Sequence, residues 1–118
     1  MIKSFGGLII SSKDPEALVK FYNESLGIPI LTDNPSKCAY DGVELGFNKN
    51  ETIIWVADEN KWGKAEARFV LRCDDLDKTY TELKQKGVQL DHPGVAADGV
   101  KELVCKDLEG NAIIMQEQ

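Results

Sequence analysis

The sequence predicts an α+β fold made of two βαβββ modules, and three observations support this. Apolar runs of strand length recur along the chain, each half carries one amphipathic helical stretch, and the pattern repeats about sixty residues apart. Asp14 is matched by Asp74, Gly27 by Gly87, Ile28 by Val88 and Ile30 by Leu90. Thr52-Ile53-Ile54-Trp55 is matched by Ala112-Ile113-Ile114-Met115 at the same offset. Asp41-Gly42-Val43 is echoed by Asp98-Gly99-Val100, three residues short of that register. Such a duplication sets equivalent residues around a shared axis. It predicts a curved mixed sheet around a cup, with the site where the halves meet.

The elements follow in order. Residues 5–11 form an apolar run bounded by glycine and serine, as a first strand would be. Asp14 then offers a capping carboxylate and Pro15 suits the first helical position. Ala17, Leu18, Phe21, Tyr22 and Leu26 recur at helical spacing, and Gly27 can take the left-handed cap. Residues 28–31 start a second strand, which Asp33-Asn34-Pro35 closes. Strands at 38–47 and 52–57 follow, joined through a turn at 48–51. The second half repeats the order: strand 67–73, helix 76–86 ending at Gly87, then strands 88–90, 101–106 and 112–116. Asp107-Leu108-Glu109-Gly110-Asn111 supplies the turn between the last two. The reading is one domain over 1–118, with modules 1–59 and 65–118 joined by a linker at 60–64.

Composition narrows the function classes. A chain of 118 residues with 42% hydrophobic and 29% charged residues is of ordinary globular type. Its net charge of −6 disfavours nucleic acid and anionic membranes as partners, and suits a neutral or cationic small molecule. No apolar run approaches the roughly 20 residues of a membrane span, and no signal-peptide pattern opens the chain, so a cytoplasmic location is expected. Cys38, Cys73 and Cys105 have no CxxC spacing and read as reduced, buried thiols.

Alternation along the strands assigns Leu8, Ile10, Ile53, Trp55, Phe69, Leu71, Ile113 and Met115 to the faces beneath the helices. The opposite faces, lining the cup, then carry Gly7, Ile9, Ile54, Val56, Arg68, Val70, Arg72, Ile114 and Gln116.

The stretch Lys13-Asp14-Pro15 running into Phe21-Tyr22-Asn23-Glu24-Ser25-Leu26-Gly27 resembles the helix signature of the vicinal oxygen chelate superfamily. Asp74-Asp75-Leu76 with Leu83-Lys84-Gln85-Lys86-Gly87-Val88 is similar to that family's second helix. The turn Asp107-Leu108-Glu109-Gly110-Asn111 resembles its DPDGN motif, with Leu108 where proline is usual. The resemblance covers essentially the whole chain. The superfamily includes glyoxalase I, extradiol dioxygenases, fosfomycin-modifying enzymes and bleomycin-binding resistance proteins, so the fold does not choose the function.

In metal-using members, the resemblance implies ligand positions in the first and last strands of each half. These fall on Gly7, Ile54, Arg68 and Ile114, none of which carries an imidazole, carboxylate or thiolate. Gly42-Val43-Glu44-Leu45-Gly46-Phe47-Asn48 locally resembles a glyoxalase stretch that holds a glutamate ligand, but strand order sets Glu44 one strand too early. No metal and no cofactor are therefore expected.

Arg68 has two open readings: a cation for an anionic ligand group, or an internal ion pair with Glu44 or Glu102. His92 reads as a solvated loop residue and Trp55 as core. Trp62, in the linker, is freer to touch a ligand or partner, while Tyr40 and Phe47 are further candidates for the cup. The leading function is metal-independent binding of a small organic ligand, similar to the bleomycin-resistance-type members, with Arg68, Glu44, Ile54, Ile114, Gly7 and Trp62 as ligand-binding residues. The alternative is a lyase, isomerase or dioxygenase of the superfamily with a non-standard site, and a third reading is an interaction role with a vestigial cup. The resemblance further implies a homodimer.

Overall fold

The computed structural model describes residues 1–32 and 42–118, which fall into two units, Met1–Ala67 and Arg68–Gln118. In the first unit, strands β1 (Gly7–Ser12), β2 (Val43–Leu45) and β3 (Ile53–Asp58) form a sheet in the order β1-β3-β2. In the second, β4 (Phe69–Cys73), β5 (Gly94–Val95), β6 (Lys101–Lys106) and β7 (Ala112–Glu117) form a sheet in the order β4-β7-β6-β5. β1 pairs with β3, and β4 with β7, in parallel; all other pairs are antiparallel. Each unit therefore joins its first strand to its last, the duplicated mixed connectivity that the repeat predicts. Asp33, Cys38, Tyr40 and Asp41 lie outside the described residues.

The helices begin alike. α1 (Pro15–Lys20) is capped by Asp14, whose Oδ1 accepts from the Ala17 amide at 3.2 Å. α3 (Leu76–Gln85) is capped by Asp75, whose Oδ1 accepts from the Lys78 amide at 3.1 Å. The structural partner of Asp14 is thus Asp75 rather than Asp74. Its first turn gains a second carboxylate, because the Leu76 amide donates to Glu117 Oε2 at 2.9 Å, next to the positive end of the helix dipole.

They also end alike, at Gly27 (φ 75°) and Gly87 (φ 78°), in the left-handed region that glycine reaches without a Cβ penalty. Thirteen residues separate Asp14 from Gly27, whereas twelve separate Asp75 from Gly87. The extra residue is absorbed by a π-helical segment, Phe21–Ser25, in which the Leu26 amide reaches back five residues to the Phe21 carbonyl at 3.1 Å. One residue inserted into an α-helix without breaking its ladder gives such a bulge.

The core of each unit lies between its helix and its sheet. α1 packs on β1 and β3, over Ile10, Leu45, Ile54 and Val56, all buried with Leu18 and Tyr22. α3 packs on β6 and β7, over Leu103, Cys105, Ile113 and Met115, with Leu76 and Leu83 pointing inward. Apolar burial of this kind contributes roughly 25 cal/mol per Å² and supplies most of the favourable free energy of folding.

The structure departs from the sequence expectations in several places. Residues 28–31 form only a single bridge, Ile30 to Leu45, and residues 88–90 only Leu90 to Cys105. Pro29 sits in the first of these segments, and proline removes a ladder donor. β5 lies in a stretch to which the sequence reading assigns no element. The linker expected at 60–64 holds most of a helical turn, α2 (Glu59–Trp62), because the Asp58 carboxylate caps it through the Asn60 amide at 2.9 Å. The boundary between units falls after Ala67, since residue 65 is held to the first unit: the Ala65 amide donates to Ser11 Oγ at 2.6 Å and its carbonyl accepts from the Ser11 amide. Among the described residues, no helix is long and apolar enough to cross a membrane.

Candidate functional site

The face of the first sheet turned away from α1 follows from its register. β1 and β3 pair Gly7 with Ile53, Ile9 with Trp55 and Ser11 with Ala57, so these residues share one face. β2 adds Glu44, which stands opposite Trp55. Ile54 and Val56 point the other way and are 7% and 0% exposed. This corrects the sequence assignment: Ile54 is core beneath the helix, and its neighbour Trp55 lies on the face turned away from it.

The physical reason is that Ile53-Ile54-Trp55-Val56-Ala57 is apolar throughout, so no polar alternation fixes its face. The sixty-residue offset was carried into this strand, where it fails by one. Gly7 and Arg68 are equivalent at an offset of 61, matching Asp14 and Asp75, whereas Trp55 answers to Ile114 at 59. A one-residue slip exchanges the two faces.

Three local features shape this face. A Cβ at Gly7 would stand 2.5 Å from the Ile53 carbonyl oxygen, so glycine lets β1 approach β3 closely there. The Trp55 indole occupies the space that a side chain on Gly42 would fill, its Nε1 being the nearest atom. Glu44 turns its backbone outward: its amide donates to Thr32 Oγ1 at 2.8 Å and its carbonyl accepts from Leu31 at 2.7 Å. Glu44 and Trp55 are therefore a non-hydrogen-bonded pair, the kind in which facing side chains lie closest. Ile9 flanks Trp55 on the other side and is 52% exposed.

The second sheet has its own face away from α3. Ile114 stands between Val70 and Val104, an apolar row across the three strands. Gln116 stands between Arg72 and Glu102, a polar row, and its Nε2 donates to Glu102 Oε2 at 3.3 Å. Arg68 immediately precedes β4 and is exposed, and among the described residues no ion pair joins it to Glu102. Ile114 thus lies on the face away from α3, and Arg68 stands one residue before β4.

Trp62 is 59% exposed on α2 and takes part in a further interaction. Phe47 is 68% exposed beyond β2. His92 is exposed, two residues before β5, with its Nδ1 at 3.1 Å from the Tyr80 hydroxyl of α3.

Carried onto the observed register, the ligand positions that the resemblance implies fall on Gly7, Trp55, Arg68 and Ile114. Glycine and isoleucine offer no donor, the indole N–H only donates, and a guanidinium repels a cation. The faces carry one carboxylate each, Glu44 and Glu102, and among the described residues no group of three or more histidine, cysteine, aspartate or glutamate side chains could hold a metal ion. This donor set does not fit a divalent ion, which takes several oxygen or nitrogen ligands.

Neither described thiol is set up as a nucleophile. Burial pushes Cys105 up to about 11, helped by nearby Asp107, and burial also raises Cys73. Reactive thiols require the opposite shift. Because the Cys105 value is raised in the fold, its contribution to stability is complete below the ordinary value of 9.0 and is lost as pH climbs from there to about 11. A Cys105→Ala variant, compared with the parent protein in urea melts across that range, should show the shallower alkaline loss of stability.

With two duplicated units, the chain has the architecture of the vicinal oxygen chelate proteins, and the family comparison agrees. Residues 4–115 match the model of the Glyoxalase/Bleomycin resistance protein/Dioxygenase superfamily, and the chain belongs to that superfamily. It is 34% identical over 83 residues to YraH, an uncharacterized protein of Bacillus subtilis (strain 168), covering 63% of this chain and 65% of YraH. That match spans just under two thirds of the relative. Among solved structures, TnmS3, an antibiotic binding protein from Streptomyces sp. CB03234, superposes with a TM-score of 0.81 at 22% identity over 98% of this chain and 96% of its own. Lactoylglutathione lyase from Agrobacterium tumefaciens superposes with a TM-score of 0.76 at 15% identity, over 98% and 94%. Fold alone is shared with both an antibiotic binder and a lyase.

Proposed function

We propose that this protein binds a small organic molecule on the helix-free faces of its sheets, without a metal ion. The observation that carries the reading is the replacement of all four ligand positions by Gly7, Trp55, Arg68 and Ile114, together with the apolar and aromatic residues beside them. On the first sheet Ile9 and Trp55 offer contact surface and Glu44 an orienting charge; on the second, taken by itself, Val70, Val104 and Ile114 offer contact surface beside the charges of Arg72 and Glu102. Sites for small molecules commonly combine an apolar lining with a few fixed polar groups. The likeness to the antibiotic binding protein TnmS3 is in keeping with this role.

The test is a thermal-shift screen of aromatic, cationic and carboxylate compounds on protein treated with a chelator. A ligand present at 100 times its Kd should stabilise the fold by about 2.7 kcal/mol, and the shift should survive chelation. Stabilisation that disappears with chelation and returns with added zinc or nickel would contradict the reading.

A further inference from the structure

The first unit sets a carboxylate and an indole opposite one another across β2 and β3. Among the described residues, the Glu44 carboxylate has no ion-pair or hydrogen-bond partner, and Trp55 has no ring or hydrogen-bond partner. Both are partly shielded from water, where the attraction between a carboxylate and a cation is stronger than in bulk solvent. We infer that Glu44 and Trp55 form a subsite for an organic cation, a protonated or quaternary amine. This rests on the ligand-binding reading above and names the chemical class that the first sheet would take.

The geometry selects this class over other cations. A divalent ion needs several oxygen or nitrogen donors, and one carboxylate beside an indole does not provide them. An organic ammonium is weakly hydrated and gains on both sides: the carboxylate attracts its charge, and the indole's π-face attracts it through the ring quadrupole within about 6 Å. Ile9, paired with Trp55 and half-exposed, supplies apolar surface for the alkyl groups of such an amine.

Gly42 is part of the device. It leaves the space into which the indole lies, and any larger residue there would displace the ring from beside Glu44. The net charge of −6 raises the local concentration of cations further. The second sheet is different, since Arg72 stands in the same row as Gln116 on its face away from α3 and would repel the same ligand.

The test uses choline and its uncharged isostere 3,3-dimethylbutan-1-ol. Each is titrated into ¹⁵N-labelled protein while the Trp55 indole N–H resonance, assigned by its absence from Trp55→Phe, is followed. Choline is expected to move that resonance saturably, with the neutral alcohol binding about tenfold more weakly. Glu44→Gln, which keeps shape and removes charge, should weaken choline five- to tenfold and leave the alcohol unchanged. Equal response to both compounds, or no effect of Glu44→Gln, would overturn the inference. So would an unmoved Trp55 resonance at millimolar choline. In any of these cases, hits in the thermal-shift screen would leave the ligand-binding reading standing, and an empty screen would remove both.

Discussion

Replacing Ile54 with alanine is expected to lower the unfolding free energy by about 3 kcal/mol, whereas Trp55→Phe should cost less than about 1.5 kcal/mol. Ile54 is 7% exposed beneath α1, and truncating a buried isoleucine loses transfer free energy and leaves a cavity. Trp55 points to the opposite face and is only partly buried, so a smaller aromatic ring there disturbs little of the core. For a domain of this size, the first change corresponds to a fall of about 10 °C in Tm. Urea melts of the two variants decide the point. If Trp55→Phe proves the more damaging, β3 presents its faces the other way round and Ile54 returns as the ligand-facing residue.

The second large effect is expected at the turn before the last strand. Asp107 is 6% exposed and Asn111 is 4% exposed. Asp107 Oδ1 accepts from the Glu109 amide at 2.8 Å and the Asn111 amide at 2.9 Å, and its Oδ2 accepts from Asn111 Nδ2 at 2.7 Å. Gly110 completes the turn at φ 83°. Asp107→Ala strips these donors of their acceptor inside the protein and should cost about 2–4 kcal/mol. Asp98, which accepts from the Val100 amide in an exposed turn, is the comparison: Asp98→Ala should cost under about 1 kcal/mol. Equal costs in urea melts would mean that the Asp107 network adds nothing beyond an ordinary turn. Leu108, standing where the family usually has proline, is 61% exposed and takes no part in the network.

These two sites mark how far the sequence could be read. The turn was legible because its chemistry is local: aspartate, glycine and asparagine within five residues specify their own hydrogen bonds. Caps were legible for the same reason, as Asp14 before Pro15 shows, although the repeat matches Asp14 with Asp74 and the structure caps α3 with Asp75. The first-to-last strand pairing also agreed with the duplication.

What could not be read was the face of β3. A strand apolar on both sides gives no parity, and Asp58, which shares parity with Ile54 and Val56, is the last residue of β3 and uses its side chain to cap α2. The offset also drifts along the chain: 61 at the first strand becomes 60 at Gly27 and Gly87 through the π-helical residue, and 59 at Trp55 and Ile114 through one further step in the segment after those glycines. Gly42 was visible only as part of a motif, and its role emerges from the indole lying where a Cβ would be. Glu44 was set aside as a metal ligand on strand order, and it does lie on β2 beside the last strand of its unit rather than in it. Its place opposite Trp55 gives it a different use.

The account stands on a ligand held by this chain's own side chains rather than through a metal. Calorimetric titration of chelator-treated protein with a ligand from the thermal-shift screen tests that most directly, run alongside Trp55→Phe and repeated with zinc added. The predicted result is one Kd with and without zinc, weakened at least fivefold in Trp55→Phe. Binding that appears only with the metal, and that Trp55→Phe leaves unchanged, would contradict it.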